Sequence, residues 1–163
     1  AIEDPNPYLF FEHKALYRSQ KENIYDDYYT TEVGKAKIVC NGDDLTIITY
    51  GMGVHWAKEA LNKISNHSVE VVDLRTLQPW DKETVKKSVC KTNKVFIIHE
   101  DCISGGIGAE ISAWINENLF EFLDAPVTRE GGLDTPVPFR KELEDNFMPI
   151  SRIGAKIRKL LNY

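Results

Sequence analysis

The chain has 163 residues, 42% of them apolar and 10% aromatic, which suits one packed domain and excludes a disordered chain. Twenty Lys and Arg face 25 Asp and Glu, for a net charge of −5; that balance argues against a nucleic-acid or anionic-membrane binder, because both reward a basic face. No apolar run approaches the ~18 residues that a membrane-crossing helix needs, and charges at Glu3, Asp4, Glu12 and Lys14 do not suit a signal peptide.

In chain order, residues 1–33 read as a lead-in. It holds one apolar burst, Tyr8 to Phe11, and a tyrosine-rich polar stretch, Tyr25 to Thr31. The start at Ala1, without methionine, suggests a piece of a longer protein. From Lys35 the pattern is regular. Ala36–Cys40 predicts a short strand, Asn41-Gly42 a turn, and Leu45–Tyr50 a buried β-branched strand. Gly51-Met52-Gly53 breaks it, and Val54, Ala57, Leu61 and Ile64 then mark one face of a helix. Val69–Leu74 predicts a strand, Asp81 an N-cap, and Val85 with Val89 one helix face. Lys94–His99 is a buried strand, and Ile107, Ile111, Ile115 and Leu119 space a helix. Pro126–Arg129 predicts a last strand, Gly131-Gly132 to Pro138 a long loop, and Ile150 to Leu161 a final helix. Strands alternating with helices imply a largely parallel sheet with helices on both faces.

The candidate chemistry is sparse. Cys40, Cys90 and Cys102 form no CxxC pair, so they read as reduced, small buried thiols that behave as ordinary hydrophobes. Gly51-x-Gly53 opens a helix as in a dinucleotide fold, but the third glycine position is Trp56. An indole there blocks the close helix–strand approach, so the segment reads as a tight βα turn. The Gly105-Gly106-x-Gly108 turn could offer N–H groups to an anion. Glu100 and Asp101 oppose that, and the turn reads instead as one packed against a neighbouring chain. His99 closes a buried strand and reads as structural, since Glu100 points to the other face. His99, Glu100 and Cys102 make a poor metal set for the same reason. His13, His55 and His67 stand in no constellation.

Several runs carry a resemblance: Phe10–Arg18, Thr46–Gly51, Val71–Asp81, Ile97–Glu100, Gly105–Ile111, Ala125–Arg129 and Asp134–Pro136. The chain resembles the C-terminal part of the beta subunit of thiamine-diphosphate-dependent 2-oxo acid dehydrogenases, of branched-chain or pyruvate type. The resemblance implies a three-layer α/β/α sandwich of the transketolase C-terminal type, with a five-stranded mixed sheet in order 1-3-2-4-5 and strand 1 antiparallel. Taken locally, Asn41-Gly42 suggests instead a hairpin between the first two strands; the family arrangement is the one adopted. The implied division is 1–33 as lead-in and 34–163 as domain, with a pyrimidine-binding domain upstream.

In that family thiamine diphosphate and magnesium, the proton-handling histidine and the monovalent-cation site lie outside the matching region. No catalytic, cofactor-binding or metal-binding residue is therefore assigned here, and this piece alone is expected to be inactive. The implied partners are an alpha subunit, a second beta copy and the subunit-binding domain of a dihydrolipoyl acyltransferase. The compartment would be the cytoplasm in bacteria or the mitochondrial matrix in eukaryotes. Asp124 matches the family position that meets an arginine of the docking domain, and the α-carboxylate of Tyr163 is a second anionic pole. Gly105, Gly106 and Gly108 are the candidate interface turn. The sequence departs from the family in three places. Tyr25–Thr31 lacks prolines, Asp124 stands where many relatives carry Glu, and Arg140–Glu144 is unusually charged. Two alternatives stay open: the C-terminal domain of another transketolase-superfamily enzyme, such as deoxyxylulose-phosphate synthase or transketolase itself, and a stand-alone interaction module.

Overall fold

The computed structural model describes all 163 residues, in two units, Ala1–Thr30 and Thr31–Tyr163. In the first, the sole helix is the single turn α1 (Leu16–Ser19), and no residue is buried. Its order comes from short polar contacts. Asp4 accepts from the Asn6 backbone at 2.9 Å and from the Tyr8 hydroxyl at 3.0 Å, and the Tyr17 hydroxyl donates to Glu12. Tyr25 and Tyr29 meet edge to face at 5.8 Å. The apolar burst Leu9, Phe10 and Phe11 is exposed.

The second unit runs β1 (Lys37–Cys40), β2 (Leu45–Thr49), α2 (Met52–Leu61), β3 (Val69–Asp73), α3 (Lys82–Thr92), β4 (Val95–Cys102), α4 (Ile107–Leu119), a 3-10 turn (Phe120–Phe122), β5 (Thr128–Gly132), α5 (Lys141–Phe147) and α6 (Ile150–Leu161). The sheet order is β1-β3-β2-β4-β5, with β1 antiparallel to β3 and all other pairs parallel. The adopted 1-3-2-4-5 arrangement is therefore the observed one, and the local hairpin is not formed. The reason lies at Gly42. A side-chain carbon there would fall 2.2 Å from the Val69 carbonyl carbon, so the Asn41-Gly42 turn lies against the start of β3.

Strand alternation builds two cores. Leu45 and Ile47 of β2, with Phe96 and Ile98 of β4, face α2 and α6, where Trp56, Ala57, Ile153 and Ile157 cover them. Ile48, Val95 and Ile97 face α3 and α4, against Val85, Val89, Ile111 and Ile115. Each of the Val, Leu, Ile and Phe side chains contributes about 1.5–3 kcal/mol when fully buried. Thr46 also points toward α3, and its hydroxyl meets the Thr92 hydroxyl at 2.7 Å, which satisfies both inside the sheet–helix seam.

Two expectations need correction. Gly131-Gly132 belongs to β5, which is shifted toward the C-terminus from the predicted Pro126–Arg129. Its middle member, Glu130, is held by Arg152 at 2.9 Å and Lys156 at 2.7 Å, a tertiary tie that turn-forming glycines conceal. The predicted loop also contains α5, whose charged sequence Lys-Glu-Leu-Glu-Asp-Asn-Phe buries only Phe147 and so lacks an apolar stripe. On the outer side of β5, Arg152 donates to the Gly131 carbonyl at 2.8 Å and Lys156 to the Arg129 carbonyl at 2.7 Å.

Asp81 is the N-cap that the sequence predicts. One carboxylate oxygen accepts from the Thr84 backbone at 3.0 Å, and the other accepts from the Thr84 hydroxyl at 2.7 Å and the Ala36 backbone at 3.0 Å. Burial pushes this carboxyl up, and those hydrogen bonds outweigh it, leaving it below its ordinary value. Because one side chain starts α3 and anchors the approach to β1, Asp81→Ala is expected to cost about 1–2 kcal/mol, read as a lower urea midpoint. Asp81→Asn, which keeps acceptor capacity, should lose less.

Candidate functional site

Two features at opposite ends of β4 carry the predicted site residues. At its amino end, α3 closes on Asn93, in the left-handed conformation at φ 58°. Asparagine tolerates that conformation better than most side chains. From there its backbone N–H bonds Val89 O at 2.9 Å, its amide donates to Phe122 O at 2.6 Å, and its carbonyl accepts from the Asp124 N–H at 2.8 Å. Asn93 thus fixes the 3-10 turn and the segment carrying Asp124. The next residue, Lys94, sends its amine to the carbonyl of Leu161 at 3.4 Å. The Asn93-Lys94 pair therefore bonds both to the Asp124 segment and to the end of α6, two residues before Tyr163.

Asp124 is exposed and Tyr163 is 67% exposed. Beside Asp124 lies an open groove of about 290 Å³ lined by Asn116, Phe120, Leu123, Asp124, Ala125 and Pro126. Phe120 is 74% exposed, a large apolar side chain left on the surface next to a carboxylate. Sequence reasoning missed it. The signal is that Phe120 and Phe122 follow Leu119, where the four-residue spacing of buried isoleucines ends.

At the carboxyl end of β4, His99 is fully buried. Its Nδ1 lies 3.0 Å from the Asp101 carbonyl oxygen. A carbonyl only accepts, so Nδ1 carries the proton and Nε2 is the lone-pair nitrogen, an assignment made from the partner. Nε2 has no hydrogen-bond partner. Glycines surround the ring. A side-chain carbon at Gly106 or Gly131 would sit 2.8 Å from His99 Cε1, and one at Gly108 would sit 2.5 Å from Nε2. Gly106 and Gly108 thus have an intramolecular reason to be glycine. Gly105, by contrast, meets nothing within 4 Å and is required by its φ of +78°. The turn is tied to the loop after β5: the Ser104 N–H and hydroxyl both donate to Asp134, at 2.9 and 2.6 Å.

Gly51 and Gly53 form the tight turn into α2. Gly53 faces the Thr49 hydroxyl and Trp56 is buried in the core. All three cysteines are free thiols. No group of three or more His, Cys, Asp or Glu is placed to hold a metal ion, and no helix is long and apolar enough to cross a membrane.

Burial lowers the His99 imidazole below its ordinary 6.5, and the Asp101 carbonyl and carboxylate only partly oppose this. The unfolded chain takes up that proton more readily, so the stability due to neutral His99 is present above about pH 6.5 and is lost as pH falls below it. The slope from one such proton is at most about 1.4 kcal/mol per pH unit. The urea midpoint is expected to drop between pH 7.5 and 5.5, and His99→Gln should flatten that drop.

The family model "Transketolase, C-terminal domain" matches residues 34–152. The 2-oxoisovalerate dehydrogenase subunit beta 2, mitochondrial, of Arabidopsis thaliana is 42% identical over 100% of this chain and 46% of its own length. The 2-oxoisovalerate dehydrogenase subunit beta of Bacillus subtilis is 40% identical over 100% of this chain and 51% of its own. The pyruvate dehydrogenase E1 component subunit beta of Porphyra purpurea is 45% identical over 88% of this chain and 44% of its own. The chain thus spans about half the length of these relatives. Among solved structures, a split-gene transketolase in an inactive beta4 tetramer superposes with a TM-score of 0.69 at 24% identity, over 86% of this chain and 46% of that one, a likeness of fold. With a family model covering most of its length and relatives matched end to end, the chain belongs to the transketolase C-terminal domain family.

Proposed function

We propose that the chain is the C-terminal assembly and docking domain of a beta subunit in the decarboxylating first component of a 2-oxo acid dehydrogenase complex. The whole enzyme would oxidatively decarboxylate a 2-oxo acid and pass the acyl group to lipoamide. One observation carries this reading: relatives named as 2-oxoisovalerate dehydrogenase beta subunits align along the entire chain at 40–42% identity. Relatives named as pyruvate dehydrogenase subunits are equally similar, so the reading extends to the class of acid and not to one member.

Thiamine diphosphate and magnesium belong to the whole enzyme in this reading. The residues present do not suit that group. They offer no clustered metal donors, and the amino end of α4, which could meet a diphosphate, follows Glu100 and Asp101. In this reading the domain's role is assembly with an alpha subunit and a second beta copy, through surfaces such as the Gly105–Gly108 turn, and docking of an acyltransferase. The compartment follows the source: mitochondrial matrix or bacterial cytoplasm.

The docking corner is the one at Asn93-Lys94. The resemblance implies a basic subunit-binding domain with an arginine for Asp124. The exposed Phe120 supplies an apolar contact beside it, and the carboxylate of Tyr163, where that residue is the native terminus, is the second pole. Charge-assisted bonds of this kind contribute about 1.5–3 kcal/mol each. In the complete alpha–beta assembly, Asp124→Asn is expected to weaken acyltransferase binding by roughly 10- to 100-fold at low salt, and to flatten its salt dependence. Extension beyond Tyr163 should act in the same direction. Unchanged affinity in both variants defeats the docking assignment.

A further inference from the structure

Residues 107–128 carry four acids, Glu110, Glu117, Glu121 and Asp124, and no lysine or arginine. Glu117, Glu121 and Asp124 are exposed, and no salt bridge engages their carboxylates. Between Glu117 and Asp124 in the chain stands Phe120, 74% exposed. A tied turn holds it there. Leu119 before it and Ala125 after it are buried. The Leu123 N–H donates to the Phe120 carbonyl at 3.1 Å, and the Asn93 amide donates to the Phe122 carbonyl at 2.6 Å. The backbone that carries the ring is thus fixed in advance, which lowers the ordering cost of a partner that binds it.

Phe120 and Asp124 line one groove, and Asn116 stands on its wall. The Asn116 amide nitrogen donates to the Ser112 carbonyl at 2.7 Å, which leaves the side-chain oxygen as an acceptor. The groove therefore offers an aromatic ring, a carboxylate and a neutral acceptor together. An arginine side chain uses all three. Its guanidinium has five donors in a planar fork, pairs with a carboxylate through two of them, and stacks on an aromatic ring. Its methylene stem suits the apolar lining of Leu123 and Pro126. A lysine ammonium, compact and strongly hydrated, makes neither the fork nor the stack. A second copy of this chain fits poorly, because the patch meeting itself across a twofold axis would set acid against acid.

We propose, resting on the acyltransferase docking reading, that Phe120 is the residue that makes this corner specific for arginine. A partner arginine lays its guanidinium plane on the Phe120 ring while its fork pairs with Asp124. Glu117 and Glu121 attract the basic partner from a distance and make no such directed contact. Buried aromatic and arginine pairs of this kind concentrate the binding energy of an interface in few residues. A purely apolar contact at position 120 would accept any large aliphatic side chain equally well, and the stack does not.

The test is calorimetry of the complete alpha–beta assembly with the acyltransferase's subunit-binding domain, using Phe120→Leu, Phe120→Tyr, Asp124→Asn and the double variant Phe120→Leu with Asp124→Asn. Phe120 is exposed, so its replacement leaves the core untouched. Phe120→Tyr keeps the ring and is expected to bind within about two-fold of the parent. Phe120→Leu keeps the apolar bulk and loses the stack, and should weaken binding by roughly three- to ten-fold with the salt dependence unchanged, since no charge is removed. Because ring and carboxylate share one guanidinium, the double variant should lose less than the product of the two single losses. Leucine binding as tightly as phenylalanine, tyrosine falling as far as leucine, or independent losses in the double variant would each overturn the proposal. If Asp124→Asn alone still weakens binding in those cases, the docking reading stands without it. If Asp124→Asn and every Phe120 variant bind like the parent, both fail together.

Discussion

The fully buried ring of His99 sets the spacing of the carboxyl end of the sheet. Glycines from two directions, Gly106 and Gly108 before and within α4 and Gly131 in β5, leave room for one imidazole and nothing more. A packed interior gains dispersion energy only when such gaps are closed. The ring therefore determines how near α4 and β5 come to β4. It does so with one nitrogen satisfied by Asp101 and the other left without a partner, so the polar cost of Nε2 is offset by the closeness of the fit. The Ser104–Asp134 contacts and the bond from Arg129 Nη1 to the Ile103 carbonyl, at 2.9 Å, then hold the loops above it.

A second tie secures the outer strand. Burial raises the Glu130 carboxyl and the hydrogen bonds from Lys156 and Arg152 outweigh it, leaving the group below its ordinary 4.5. Two cations on α6 compensate one buried anion, whereas a lone buried carboxylate would carry an unopposed desolvation cost. Through it α6 is drawn to β5, and its isoleucines are brought onto the core shared with α2.

Much of this architecture was legible in the residues. Continuous β-branched runs read as strands buried on both faces, the four-residue spacing of Ile107, Ile111, Ile115 and Leu119 read as a helix, and Asp81 read as a cap. Strand order was not legible locally. Gly42 looks like a hairpin residue, and only the three-dimensional approach to Val69 explains it. The end of β5 was hidden for a related reason: Gly131 and Gly132 are turn formers by propensity, yet here they are small because His99 and Phe147 press against them. Asp124 was found through resemblance, whereas Phe120 beside it needed the structure, since exposure cannot be read from one phenylalanine in a row.

The two open margins of the sheet are treated unlike each other and to the same effect. On one side β1 is a four-residue strand carrying Lys37, and its pairing slips between Ile38 and Cys40. Short length, charge and irregular register all discourage another strand from adding there. On the other side the side chains of Arg152 and Lys156 occupy the outward carbonyls of Gly131 and Arg129, the acceptors that an incoming backbone would use. The sheet is thereby closed at five strands. Extension by backbone pairing is disfavoured at both margins, and recognition falls to side chains at the strand ends and on the helices, where it can change without disturbing the ladder beneath.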